Sequence, residues 1–414
     1  MHALASLKTI REELHRDGLL MRARGVPSGL LPQAAVAERR FAVPVRQGEE
    51  GGRGLVGLQN LGNTCFLNAC IQCLAAVPPF RGFFLSNHHI FRLDTESTMR
   101  GTLALAFGEL LHKIWQGEPY SSVSAGILKD RVSKFAPQFT GYRQHDSQEF
   151  LRFLLDGLHE DLKASDNEEM HQFMQLRLDH DQVASKYKGS SAAMETYCQE
   201  NLSCVVAAFG GQMVSQIECK TCGHQSCCYD PFLDISLPIP STCQSKEGDT
   251  EVHNSRCHLL DCFKLFTEKE ILEGENMYSC PNCNTRSPAT KQLKFVSLPP
   301  VLVLHIKRFS YTDVSREKLV TALEFPQTGL DLSAFAVETE CGEMKRPAVY
   351  DLKSVALHVG GMAGGHYHAF CLNSENNCWY DFNDSRVSKA PIEQMDPSEP
   401  YIFFYQRRDV RLPW

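Results

Sequence analysis

Residues 64–77 read TCFLNACIQCLAAV, an apolar run that opens after Gly62-Asn63-Thr64 and stops before Pro78-Pro79. The run predicts a mostly buried helix, because the Gly-Asn-Thr turn suits a helix start and proline disfavours helix in the residue before it. Cys65 begins that helix. The N–H groups and macrodipole of a helix N-terminus favour an anion, so a thiol placed there tends towards thiolate. Position alone also fits a small buried hydrophobe, which is the reading given to Cys70 and Cys73 on the same helix.

Working outward, residues 101–115 (GTLALAFGELLHKIW) predict a second helix and 146–163 (DSQEFLRFLLDGLHEDLK) a third. Asp146 is placed to cap the third helix, with Glu149 at the reciprocal capping-box position. Phe150, Phe153, Leu154, Leu158 and Leu162 share one face of it at helical spacing. Residues 164–200 are polar and mixed and read as a flexible excursion. Beyond them the period changes: GQMVSQIEC, LDISLPI, QLKFVSL, VLVLHIKRF, YDLKSVALHV, GHYHAFCLN, CWYDF and YIFFY are short runs rich in β-branched and aromatic residues. Residues 241–256 read as a solvated loop. The fold class is therefore α+β, with a helical front half and an antiparallel β-rich back half. Residues 1–54 read as a flexible extension holding one amphipathic helix over Leu4 to Leu20, and no internal repeat is evident.

The 414 residues carry 42 Lys+Arg against 49 Asp+Glu, a net charge of −7. That balance argues against a nucleic-acid binder held by a basic surface. No apolar run is long enough to span a membrane, and the charged start does not read as a secretory signal. Seventeen cysteines with no export signal point to thiols kept reduced, metal ligands or a catalytic thiolate, hence to nucleus or cytoplasm.

Two further groups bear chemistry. Gly364-Gly365-His366-Tyr367 puts a histidine at a glycine-rich strand entry, where another chain can approach closely. An imidazole there suits the base that takes a thiol proton and returns it to a leaving amine. Asn383 and Asp384 follow in Trp379-Tyr380-Asp381-Phe382-Asn383-Asp384-Ser385, and a hairpin would bring either beside His366 to accept from its Nδ1–H. Read alone, these are a structural histidine and an Asn-Asp turn. Cys219-x-x-Cys222 and Cys280-x-x-Cys283 are two knuckles whose four thiolates match a tetrahedral structural zinc site.

Taken together the motifs resemble those of the ubiquitin-specific proteases. Gly57 to Asn68 (GLQNLGNTCFLN) is similar to their cysteine box, and Gly365-His366-Tyr367 through Phe382-Asn383-Asp384-Ser385 to their histidine box. Tyr142 to Leu151 (YRQHDSQEFL), Val303 to Phe309 and Tyr401 to Tyr405 are also typical, and the likeness runs from about Leu55 to Arg407. The resemblance implies a papain-like cysteine protease built of thumb, palm and fingers. It places the thumb over about 55–200, palm and fingers over about 201–407 and a tail at 408–414. The zinc-tied finger region would cradle ubiquitin, whose Gly-Gly tail would thread the cleft.

The implied roles are Cys65 as nucleophile, His366 as base and then acid, and Asn383 as its orienter, with Asp384 as support or alternative. Asn60 is implied as the side-chain donor of the oxyanion hole, partnered by the backbone N–H of Cys65. Asp146, Gln148 and Tyr367 are implied as substrate contacts. The partners implied are ubiquitin and ubiquitinated proteins, histones among those that relatives act on, with the chain itself a monomer. Rival readings are a catalytically silent ubiquitin-binding scaffold and a protease for another ubiquitin-like modifier. The chain departs from the family at His368, where Thr or Ser is usual, and at His145-Asp146-Ser147.

Overall fold

The computed structural model describes residues 52–115, 122–164, 167–180, 187, 189–245, 256–311, 316–338, 348–361 and 364–414. The expected helix over Leu4 to Leu20 and the loop from 246 to 255 lie outside the described residues.

The front half is a helical lobe of α1 (Cys65–Ala75), α2 (Pro78–Leu85), α3 (His88–Phe91), α4 (Thr102–Trp115), α5 (Gly126–Phe135) and α6 (Ser147–Asp161). Beside it β1 (Gly57–Leu58) pairs in parallel with β2 (Ser122–Val123). Every residue of α1 is buried, as its nearly continuous apolar run requires. Phe66 of α1 packs on Phe139 and Phe150 with ring centroids 6.0 and 5.5 Å away. Asp146 caps α6, its Oδ1 accepting from the N–H groups of Gln148 (2.7 Å) and Glu149 (3.2 Å). At the far end of α6 the buried Asp161 receives the Ser97 hydroxyl and the N–H groups of Gly101, Leu103 and Ala104, which satisfies the start of α4.

Residues 164–200 correct the expectation of a flexible excursion. They contain α7 (Glu168–His180) and α8 (Gly189–Asn201), followed by α9 (Cys204–Phe209). Met170, Met174, Met194 and Cys198 bury a stripe against Leu202, Val206 and Ala207. One apolar residue per turn is enough to dock these helices but too narrow to stand out in a polar sequence.

The back half holds β3 (Gly211–Cys219), β4 (Gln225–Phe232), β5 (Ile235–Leu237), β6 (Arg256–His258), α10 (Leu259–Phe266), β7 (Glu270–Leu272), β8 (Tyr278–Cys280), β9 (Thr285–Ser287) and β10 (Ala289–Ser297). It continues with β11 (Val301–Ile306), β12 (Phe309–Tyr311), β13 (Arg316–Lys318), β14 (Ala322–Glu324), β15 (Thr328–Asp331), β16 (Val349–Gly361), β17 (Gly364–Asn373), β18 (Cys378–Asn383), β19 (Arg386–Lys389) and β20 (Pro400–Arg407). The central sheet has the order β19-β18-β17-β16-β20-β11-β5, with β15 on β16. All its pairs are antiparallel except β11 with β5. A second sheet, β4-β3-β10-β7, projects as the fingers, with the β8–β9 hairpin alongside.

Alternation divides the central sheet between two cores. Val301, Val303, Ala356, Ala369, Ile402 and Phe404 face the helical lobe. Leu302, Leu304, Leu357, Phe403 and Tyr405 face the opposite core with Leu259 and Phe263. Both faces are covered, which explains why VLVLHI and YIFFY read as unbroken apolar runs rather than alternating ones. The segment 408–414 docks on the helical lobe: the Trp414 indole N–H donates to the Pro79 carbonyl at 2.7 Å, and its ring meets Phe83 edge-on.

Candidate active site

The loop before α1 is folded by short-range bonds. Gly62 has φ +98 and Asn63 φ +52. A Cβ at Gly62 would also lie 2.3 Å from the Tyr142 ring, so the position demands glycine twice over. Thr64, the N-cap of α1, makes no side-chain capping bond; its hydroxyl instead accepts from the Leu61 N–H at 2.9 Å. The first-turn amides of α1 around Cys65 are thereby left without that side-chain acceptor.

Asn60 is held at both ends. Its Oδ1 accepts from the N–H groups of Gly62 (3.0 Å) and Thr64 (3.2 Å), and its Nδ2 donates to Asp384 Oδ2 at 2.8 Å. The other Asp384 oxygen accepts from Asn68 Nδ2 at 2.8 Å, and its backbone carbonyl accepts from the Leu58 N–H. The β18–β19 turn, with Asp384 at φ +49, is thus pinned to the loop and helix that carry Cys65. The bond to Asp384 uses one of the two amide hydrogens of Asn60.

The β17–β18 hairpin brings His366 to Asn383 as expected, but through the other ring nitrogen. Nε2, not Nδ1, lies 2.8 Å from Asn383 Oδ1. The two side chains meet beyond the paired stretch of β17 with β18, whose last pair on this side is Ala369 with Phe382. The imidazole pKa is raised to about 8, chiefly by its hydrogen bond to Cys65; burial opposes this, and Asn383 and the charges of Cys65 and Asp384 add to it. Asp384 acts on His366 by charge alone, since both its oxygens are taken by Asn60 and Asn68. Cys65, buried at the start of α1, completes the constellation.

Asp146, Gln148 and Tyr367 lie at the junction of the helical lobe and the central sheet. Besides capping α6, Asp146 accepts from the Tyr401 hydroxyl at 2.5 Å. Gln148 donates to Asp234 at 2.9 Å. Tyr367 is buried against His358 and Tyr401, so its side chain is packing, not an open contact surface. Two residues that the sequence shows only inside longer motifs have definite places here. Gln144 straddles the cleft, its amide donating to the Gly365 carbonyl (2.9 Å) and accepting from the Gly365 N–H (3.2 Å). Asn68, one turn beyond Cys65, was legible only as part of the cysteine box. Gly365 is small because a Cβ there would lie 2.2 Å from His358 Nε2.

Cys219, Cys222, Cys280 and Cys283 converge with their sulfurs all within 4.8 Å of one another. Cys219 and Cys283 are 3.9 Å apart, Cys222 and Cys280 3.7 Å. Four thiolates about 2.3 Å from a tetrahedral centre stand about 3.8 Å apart, so the quartet has the dimensions to hold a metal ion.

The ubiquitin carboxyl-terminal hydrolase family profile matches residues 56–405. Ubiquitin carboxyl-terminal hydrolase 2 of Homo sapiens is 37% identical over 374 residues, covering 89% of this chain and 58% of that protein. The Gallus gallus protein of the same name is 38% identical over 356 residues, covering 86% and 94%. Ubiquitin carboxyl-terminal hydrolase 3 of Mus musculus is 33% identical over 368 residues, covering 86% and 68%. The chain therefore spans somewhat over half the length of several of the relatives it matches. Among solved structures, the SAGA Ubp8/Sgf11/Sus1/Sgf73 DUB module bound to ubiquitin aldehyde is similar with a TM-score of 0.67 at 26% identity, covering 91% of this chain and 75% of that one. Helical lobe, central sheet and fingers are thus the thumb, palm and fingers of that fold, and the chain belongs to the ubiquitin carboxyl-terminal hydrolase family.

Proposed function

We propose that the protein is a cysteine-type deubiquitinase, hydrolysing the bond after the C-terminal Gly-Gly of ubiquitin. The observation that carries this is Cys65 at the start of α1 facing an imidazole whose outer nitrogen is held by Asn383. His366 takes the Cys65 proton. The thiolate attacks the carbonyl carbon of the isopeptide bond, and the C=O electrons move onto oxygen. Asn60 Nδ2–H and the backbone N–H of Cys65 receive that oxyanion, a contribution commonly of about 3 kcal/mol per donor. Collapse expels the lysine amine, which leaves with the proton from His366. A water deprotonated by His366 then attacks the acyl-thioester and frees the thiol.

Zinc is the metal that suits four thiolates, and Cys219, Cys222, Cys280 and Cys283 would hold it. Its role there is structural, tying the strands at the fingertip. Ubiquitin and ubiquitinated proteins are the proposed ligands, the similar DUB module being one bound to ubiquitin aldehyde. We place the catalytic unit at 55–407 with 1–54 as an extension and 408–414 as a tail. A thiol nucleophile and a thiolate quartet suit a reducing compartment, nucleus or cytoplasm.

The test compares wild type and Cys65→Ala on ubiquitin bearing a C-terminal fluorogenic amide. Turnover by wild type alone supports the reading. Ubiquitin binding without turnover in wild type would replace it with a silent scaffold.

A further inference from the structure

His368 stands two residues beyond His366 on regular β17 and so on the same face. Their rings lie 6.5 Å apart, within 13° of parallel. His368 Nδ1 meets Asp381 Oδ1 of β18 at 2.7 Å, and its Nε2 lies 3.8 Å from Glu399 Oε2, just ahead of β20. The side chain is 12% exposed. Burial disfavours the charged ring, but the bonds and charges of the two acids outweigh it and carry the pKa up to about 9. The two acids thus favour the charged form of this ring beside the group that has to gain and lose a proton.

We propose that His368 is a positioning residue for His366: its charged ring, held between Asp381 and Glu399, ties β17 and β18 to the entry of β20 and restrains the proton affinity of the neighbouring imidazole. The proposal rests on the reading of His366 as general base. His366 is faced by Cys65 of α1, Asn383 of β18, Asp384 of the β18–β19 turn and, across β16, His358. His368 is faced by Asp381, Glu399 and the Phe370 ring. With His368 protonated, the trio it forms with Asp381 and Glu399 carries one net negative charge; without it, two. Thr or Ser at this position could hydrogen-bond one acid but neutralise neither.

The test follows His366 directly by histidine-ring NMR titration of the full chain. In parallel, the pH profile of kcat/KM is measured on ubiquitin with a C-terminal fluorogenic amide. Removing a unit charge 6.5 Å away raises the neighbour's midpoint by about 1–2 pH units at an effective dielectric near 20. His368→Gln is expected to move the His366 midpoint and the acidic limb of the profile upward together by that amount. His368→Gln combined with Asp381→Asn is expected to bring both back towards wild type, whereas two purely structural losses would add. His368→Arg, which keeps the charge between the same acids, should leave the midpoint near its wild-type value and serves if His368→Gln does not fold. A folded His368→Gln protein with lowered thermal stability but an unmoved His366 midpoint overturns the proposal. A wild-type chain that titrates normally but hydrolyses nothing would count against the hydrolase reading alone, with the midpoints still deciding the role of His368.

Discussion

Asp384→Asn isolates the role of a carboxylate that never touches the imidazole. Asparagine tolerates the left-handed backbone at φ +49, so the turn itself survives the change. What is lost is chemical: two charge-assisted bonds of 2.8 Å, from Asn60 and Asn68, meet one neutral acceptor and one donor. A hydrogen bond to a charged group contributes about 1.5–3 kcal/mol against about 0.5–1.5 for a neutral one, so the deficit at Asn60 is about 1–2 kcal/mol. Expressed in the transition state, that is a roughly 5- to 30-fold fall in kcat. Asn60→Ala removes the donor outright and is expected to cost about 100- to 1,000-fold. The double variant should be little worse than Asn60→Ala alone, because the carboxylate works mainly through that amide and its charge is the smallest influence on His366. The assay is steady-state hydrolysis of ubiquitin C-terminal fluorogenic amide with kcat and KM separated. Full activity in Asp384→Asn, or a double variant whose loss is the product of the two, would refute the reasoning.

Other outcomes follow from the same structure. The His366 pKa is raised in the folded chain, so its stabilising contribution is complete below its unfolded value near 6.5 and lost as pH rises through about 8. Denaturation curves of wild type against Cys65→Ala should converge across that window, since Cys65 is the main cause of the shift. Asp161→Ala strands four donors and is expected to destabilise the chain by about 3 kcal/mol in urea unfolding, without changing the shape of the pH profile. Gly62→Ala combines a left-handed φ with collision against Tyr142 and should abolish turnover while leaving far-UV circular dichroism intact. Metal analysis is expected to find one zinc per chain, lost in Cys280→Ser together with protection of the fingertip from proteolysis.

The sequence exposed those features whose signal is local. α1 showed because its burial is complete on every side, and α6 because a cap precedes a broad apolar stripe. The central strands showed because both faces are covered. α7 and α8 escaped because Met170, Met174, Met194 and Cys198 supply too thin a stripe. β4 escaped because only Phe232 among its residues is buried and it includes Pro231. At the site, Cys65, His366 and Asn383 were legible as motifs. The ring nitrogen that Asn383 meets, and the partners of Asp384, depend on bringing together positions as far apart as Asn60 and Asp384, which no local pattern encodes.

The Gln144 bridge sets a condition on whatever enters the cleft. Its side-chain amide donates to one backbone group of Gly365 and accepts from the other, as a single residue of a neighbouring strand would. Any extended chain that pairs with Gly365 must first evict this mimic and supply two bonds for the two it breaks. The exchange is close to neutral, so a short peptide gains little at that position. On the proposed function, selectivity is thereby shifted away from the tail that enters and onto whatever surface its owner presents elsewhere.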